Sequence, residues 1–371
     1  MVVLVPQEGR RTKIVSVAIT AKAVDFLKGG GHVADIALFE DLEAVGRDAP
    51  GALDREAQPS LFSRLDWFRL LARHCPPPGK LFCLRARAGN RSAWLFVALR
   101  HPIADAYANF YSLRFGAIGR PDEDLLTAMA AALRDGGLAE VDLAPLEDPA
   151  PLADGFRKAG WVSFVTPFAV NWRIDTEGKD FDTYWADRPG QLRNTAKRRA
   201  KAASLDIAVH TSFSEAAWAD YEAVYRASWK PEEGSFPFLR ALAEAEGAAG
   251  TLRLGVARHD GTPVAAQLWL VENKEAVIHK LAYAEAAKDL SPGTLLSMAM
   301  FRHVLDHDRV RCIDYGNGDE PYKADWMEER RTLWQLRAYN PRTLKGFAGM
   351  AKAWFRARRK SPLSHRERGR G

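Results

Sequence analysis

Cysteine is scarce in this chain. Cys75, Cys83 and Cys312 are the only three, and no two of them form a C-x-x-C pair. That excludes the spacing of a structural zinc site and argues against a disulfide framework, leaving three small buried hydrophobes. Long apolar runs are missing as well. No stretch of about 18 uninterrupted apolar residues occurs, so no transmembrane helix is predicted. Residues 1–11 include Gln7, Glu8, Arg10 and Arg11 and lack the long apolar centre and cleavage site of a secretory signal. These absences predict a cytoplasmic protein. The histidines are scattered without ligand spacing, and no metal is expected.

Charge of one sign is short over most of the chain and crowded at its end. The formal net charge is +6, but residues 342–371 hold ten Lys or Arg against one Glu. The rest of the chain is therefore acidic by three. The pI of 9.2 belongs to the tail, and no DNA partner follows from it. Leu344, Phe347, Ala351, Trp354 and Phe355 share a face of a predicted helix over 342–360, flanked by basic residues. Two outcomes stay open for it: peripheral contact with the inner face of a membrane, or packing on the body. Disorder is expected from 361 onward.

What remains reads as two halves with the same order of elements. In the first, strands at 81–87 and 93–100 flank Gly89-Asn90, and another strand is expected at 109–115. A helix over 121–134 starts at Pro121 and stops at Gly136-Gly137. A short strand at 141–143, a helix at 151–159 and an extended stretch at 161–174 follow. The second half has a hairpin at 252–258 and 264–271 around Asp260-Gly261. It continues with a strand at 276–283, a helix from Pro292 capped by Ser291, and strands at 310–315 and 333–339. Helices near 214–229 and 237–246 precede that hairpin. The boundary is placed at 175–179, giving lobes 10–177 and 178–341 and a tail 342–371. The fold class is α/β (α+β), two lobes, each a mixed, mainly antiparallel sheet flanked by helices.

Two runs carry the chemistry. IHKLAYAEAAKDLSPGTLL (278–296) is followed by IDYGNGDEPYKADW (313–326). His279 has the pKa range of a general base, although a lone strand histidine is commonly a core residue. Alternation puts Val277, His279, Leu281 and Tyr283 on one face. Asp314 ends a strand, where it can orient His279, bind the acceptor, act as the base or cap the next loop. Tyr322 can protonate a leaving group, and Lys323 can hold a phosphate or carboxylate. With Asp319 and Glu320 they form a polar cluster that is equally a solvated loop. Ser291, Gly293 and Thr294 open a helix whose free N–H groups suit an anion, with Lys288 beside them. A basic helix at 188–201 places Arg193, Lys197 and Lys201 along one face, to meet a phosphate or simply water.

Together these runs resemble the GNAT-type acetyltransferases of the CelD-like family, linked to cellulose and exopolysaccharide biosynthesis and related to the FemAB aminoacyltransferases. The resemblance covers about 160 residues, 181–339. It implies two GNAT-like lobes and transfer of an acyl group from a thioester, acetyl-CoA or another acyl-CoA, to an amine or hydroxyl on a small or carrier-linked sugar. It implies His279, Asp314 and Tyr322 as catalytic residues and Lys288, Ser291, Gly293 and Thr294 at the donor. Lys280, Tyr283, Glu320, Lys323, Arg193 and Lys197 are implied at the substrate. The chain departs from the family at the Arg/Gln-x-x-Gly-x-Gly/Ala phosphate loop, where only SPGT stands. Two rival readings follow: a FemAB-like aminoacyltransferase using charged tRNA, or a non-catalytic scaffold of a polysaccharide synthesis complex.

Overall fold

The computed structural model describes residues 34–360. Residues 10–33 of the expected first lobe and the tail after 360 lie outside the described residues. Among the described residues, thirteen strands form one mixed sheet. In the first half these are β1 (Asp35–Phe39), β2 (Lys80–Ala88), β3 (Arg91–Arg100), β4 (Ile103–Ala106), β5 (Ile118–Gly119), β6 (Glu140–Leu146) and β7 (Val162–Asp175). The second half adds β8 (Leu205–His210), β9 (Leu252–His259), β10 (Thr262–Glu272), β11 (Glu275–Tyr283), β12 (Cys312–Asn317) and β13 (Glu329–Tyr339). The order is β1-β2-β3-β4-β6-β13-β7-β12-β11-β10-β9-β8, with β5 on β3.

The halves repeat each other in the sheet. Each has an antiparallel meander, then a helical crossover into a parallel pair: β4 with β6, and β11 with β12. They also interleave. β13 comes from the second half yet pairs with β6, and β7 comes from the first half yet pairs with β12. β13 and β7 run antiparallel from Glu329↔Arg173 to Tyr339↔Val162.

Local sequence explains the turns. Asp260 (φ 49) and Gly261 (φ 76) both take positive φ between β9 and β10, as do Asn273 (φ 48) and Lys274 (φ 62) between β10 and β11. Two-residue hairpins need this geometry, and Asp-Gly and Asn accept it at low cost. α3 (Glu123–Asp135) starts two residues after Pro121, with Asp122 as its cap, the Asp122 side chain accepting the Leu125 N–H at 2.9 Å.

Ten helices cover the faces of the sheet among the described residues. They include α1 (Leu42–Asp48), α2 (Leu65–His74), α3, α4 (Ala150–Lys158), α5 (Phe181–Ala186) and α6 (Gly190–Ala202). The others are α7 (Glu215–Arg226), α8 (Phe236–Ala248), α9 (Pro292–Asp306) and α10 (Leu344–Lys360). One core is shared by both halves: Trp67 and Phe68 of α2 and Phe96 of β3 join Trp218, Tyr221, Phe238 and Leu254. Each half has a second core on its other face, around Met129 and Phe156 in the first and Trp269 and Phe301 in the second. Ion pairs reinforce the join, Arg55 to Glu246 at 2.6 Å and to Glu272 at 2.7 Å.

The strand expected at 109–115 is absent. β4 ends at Ala106, and the chain turns where the Asn109 side chain accepts the Tyr111 N–H at 3.0 Å and donates to the Cys75 carbonyl at 2.9 Å. Those bonds satisfy the backbone locally, which removes it from the ladder. The turn carries Phe110, Tyr111 and Leu113 across to the second half.

Candidate active site

The site begins with an irregularity in β11. Leu268 pairs with Lys280 and Trp269 with Ile278, so His279 is an extra residue with no partner on β10. Such a bulge re-aims side chains. His279 stacks parallel to Tyr111 with ring centroids 6.3 Å apart, and Lys280 lies over the same ring at 4.5 Å. Leu281 and Tyr283 pack in the core of the opposite face. The expected common face of Val277, His279, Leu281 and Tyr283 is therefore broken after His279.

On its other edge β11 parts from β12. Their pairing runs from Glu275↔Cys312 to Val277↔Asp314 and stops, although β11 continues to Tyr283. The gap is a cleft of about 200 Å³. Ile278–Leu281 form one wall, Tyr315, Gly316 and Asn317 the other, and Tyr111 and Leu113 of the first half close one side. Gly316 is required here: its φ is 67, and a Cβ would sit 3.2 Å from the Ile278 carbonyl oxygen.

The cleft's charges are unevenly balanced. Glu233 is fully buried and takes hydrogen bonds from the Tyr111 hydroxyl (2.6 Å) and the Lys280 ammonium (3.1 Å). Burial lowers the pKa of Lys280, and Glu233 offsets part of that. Lys230, on the loop between α7 and α8, also lines the cleft. It makes no ion pair among the described residues. Burial first, then the charge of Lys280, lowers its pKa to about 8. His279 is 8% exposed, and among the described residues neither ring nitrogen makes a hydrogen bond, although the Tyr111 backbone lies close enough to favour its charged form slightly. Burial, helped by Lys280, drops its pKa to about 3. It is a neutral imidazole at neutral pH with both nitrogens buried and unpaired, and too weak a base to store a proton there.

Asp314 points away from His279 in its bonding. Its oxygens take the Arg114 guanidinium (2.9 Å), the Asn171 amide (2.6 Å) and the Gly316 N–H (2.7 Å). Burial opposes the charge on Arg114, but Glu275 and Asp314 hold its pKa above the ordinary value. The pair fixes the point where the strands part. Lys323 is likewise committed: its ammonium reaches the carbonyls of Asn317 (2.8 Å) and Gly318 (3.4 Å) and the Glu320 carboxylate (2.9 Å). Those bonds use its three hydrogens and shape the 317–323 loop, leaving none for a ligand. Tyr322 lines the cleft and is 41% exposed; partial burial first, then Glu320, lifts its pKa to about 12. It stays a phenol.

Of the residues singled out in the sequence, His279, Lys280, Glu320, Tyr322 and Lys323 line this one cleft. Lys288, Ser291, Gly293 and Thr294 do not. Ser291 is left-handed (φ 52, ψ 45) and makes no side-chain cap, because a 3-10 turn at Glu285–Leu290 delivers the chain to the helix. The Tyr283 ring lies over Gly293, where a Cβ would meet it at 3.3 Å. Lys288 is exposed, 3.9 Å from Glu285. Arg193 and Lys197 are exposed on α6, away from the cleft lining. Sequence reasoning missed Lys230, Glu233, Tyr111 and Arg114. The last two had no motif; a Lys and a Glu three apart in a Gly-Pro loop gave only a faint signal. Among the described residues, no group of three His, Cys, Asp or Glu is placed to hold a metal.

Known proteins share this architecture. Residues 187–324 match the family model described as an acetyltransferase (GNAT) domain. That span includes every cleft residue of the second half and none of the first. No curated protein matches the chain. The C-terminal domain (DUF2156) of a candidate lysylphosphatidylglycerol synthetase from Agrobacterium fabrum aligns at 15% identity and TM-score 0.55, over 84% of this chain and 96% of that one. The L-PGS structure from Bacillus licheniformis aligns at 14% and 0.50, over 86% and 96%. A tandem GNAT protein from the clavulanic acid biosynthesis pathway aligns at 18% and 0.47, over 81% and 98%. At these identities the likeness to the structures at 0.55 and 0.50 is one of fold alone, a mixed sheet flanked by helices; the GNAT domain rests on the match over 187–324.

Proposed function

We propose that the chain is an acyltransferase that moves an acyl group from a thioester to an amine or hydroxyl. The observation that carries this reading is the parting of β11 from β12 after Val277 and Asp314, with the His279 bulge at its edge. Parted strands leave main-chain N–H groups unpaired. These can bind an extended donor and stabilise the oxyanion of a tetrahedral intermediate, an effect worth several kcal/mol. The GNAT match over 187–324 supports it.

The acceptor's nitrogen or oxygen attacks the thioester carbonyl, and the C–S bond breaks. Lys230, with its pKa near 8, takes the acceptor's proton. Tyr322 gives a proton to the departing thiolate. His279 lines the cleft with two buried ring nitrogens that have an unmet hydrogen bond, and it orients an acceptor that reaches that depth. Asp314 acts through position, and the helix start at Ser291, Gly293 and Thr294, with Lys288, is the place for the phosphates of acetyl-CoA or a longer acyl-CoA. A carrier-linked sugar of an envelope or extracellular polysaccharide is the acceptor class. Purified protein should consume an acetyl, longer acyl or acyl-carrier thioester in the presence of an amino sugar; no turnover with any of these would end the reading.

One observation favours a second donor. None of Lys288, Ser291, Gly293 and Thr294 lines the cleft, and the chain lacks the full GNAT phosphate loop. An aminoacyl ester on tRNA, as in FemAB relatives, needs no such loop. Charged tRNA should then bind with steep salt dependence and lose its amino acid, while acyl-CoA is untouched.

A further inference from the structure

The last described helix is mounted with its apolar face outward. Thr343 starts α10, its hydroxyl accepting the Gly346 N–H at 3.0 Å. At 100° per residue, Gly346, Gly349 and Ala353 share one face, and Leu344, Phe347, Ala351 and Phe355 share the opposite one. The glycine face is the one against the body. A Cβ on Gly346 would collide with the Asn340 carbonyl oxygen and lie 2.7 Å from that of Ala139, and one on Gly349 would lie 2.7 Å from the Tyr339 ring. No side chain fits there, so the helix cannot roll its aromatic face inward. Leu344 is left 93% exposed, Phe347 56% and Phe355 62%, with Trp354 at the edge at 43%.

An exposed apolar stripe of four large side chains on one helix marks a contact surface, and its flank identifies the partner. Lys345, Lys352 and Arg356 run along one side, exposed. The helix contains no acidic residue, and the sequence continues through Arg358, Arg359 and Lys360. A second copy of this face would bring like charges together. An anionic bilayer accepts both parts, the rings among the acyl chains and the cations among the headgroups. Among the described residues no helix is long and apolar enough to cross a membrane, so the contact is with the surface.

We propose that α10 docks the protein on anionic lipid through Leu344, Phe347 and Phe355, with Lys345, Lys352 and Arg356 on the headgroups. This stands apart from the acyltransferase reading and uses none of the cleft residues. Full-length protein should sediment with vesicles of phosphatidylcholine and phosphatidylglycerol. Binding should be about a hundredfold weaker on phosphatidylcholine alone, given three flanking cations, and should fall in about 0.5 M salt. Phe347→Glu/Phe355→Glu should abolish sedimentation with an unchanged unfolding midpoint, since both rings already face water. Equal sedimentation of wild type and double variant would overturn the proposal, as would no sedimentation of the wild type. A wild-type dimer that the double variant splits would assign the face to a second copy and overturn it too.

Discussion

Arg114 and Asp314 lie 2.9 Å apart across 200 residues of sequence, one from each half, at the point where the two site strands separate. Asp314 is 1% exposed, and Arg114 also holds Glu275 at 2.6 Å. Removing Arg114 takes the close cation from a buried carboxylate, which costs about 3–5 kcal/mol, whereas Arg114 keeps Glu275 when Asp314 is lost. Arg114→Met should therefore lower the denaturation midpoint strongly, and Asp314→Ala should lower it less. Urea unfolding of both variants checks this. An Asp314→Ala protein with wild-type stability and no activity would make Asp314 a chemical participant instead.

Lys230 gives the site a pH signature. Its folded pKa is about 8 against an ordinary 10.5. As a proton acceptor it becomes competent as pH rises through about 8, so the rate should climb there. Lys230→Met should flatten that limb and lose about 10²–10⁴ in rate. Linkage gives a second readout. Between about 8 and 10.5 the unfolded chain holds the proton that the folded chain has lost, so the wild type should gain stability with rising pH across that window. The variant should lose this gain. A pH–rate profile beside unfolding midpoints at pH 7.5 and 9.5 separates the two effects.

Why Lys230 escaped notice in the sequence is physical. Its role comes from burial and from Lys280 beside it, fifty residues on, and neither leaves a trace in spacing. The His279 bulge is similar: the run VIHKLAY alternates well enough to read as a regular strand, and only pairing with β10 reveals the extra residue. By contrast, Asp260-Gly261 dictates its turn wherever it occurs, and the helix opened by Pro292 needs no partner to be seen. The DYGNGDEPYK loop was legible as part of a site because its glycines and charges crowd together. That Asp314 spends its charge within the protein was not, since Asn171 and Arg114 come from the other half.

His279 predicts an acid-side effect of opposite origin. Its folded pKa is held near 3 by burial, below the ordinary 6.5. The unfolded chain therefore takes up a proton that the folded chain refuses as pH falls below 6.5. Stability should be full above 6.5 and decline toward pH 3, by up to about 1.4 kcal/mol per pH unit from this group. His279→Phe, close in size and with no hydrogen bond to break, should show a shallower decline. Unfolding midpoints at pH 6.5, 5 and 4 make the comparison. Parallel slopes for the two proteins would mean that the imidazole charges freely in the folded state.

The interleaved strands make a prediction about cutting the chain. Division at 177 separates β7 from β12 and β13, and β6 from β13. A fragment spanning 178–341 keeps α9 and the β8–β12 sheet but exposes one edge of β12 and both edges of β13. Unpaired edges in a sheet promote aggregation, and Leu336 and Ala338, fully buried against the first half's core, would face water. Neither 34–177 nor 178–341 alone should unfold cooperatively. Co-expressed, the two should form a soluble complex, because β7 and β13 restore each other's ladders. Size-exclusion chromatography and thermal unfolding of each fragment, alone and together, decide the matter. A cooperative transition in the isolated 178–341 fragment would mean that the second lobe folds without its borrowed strand.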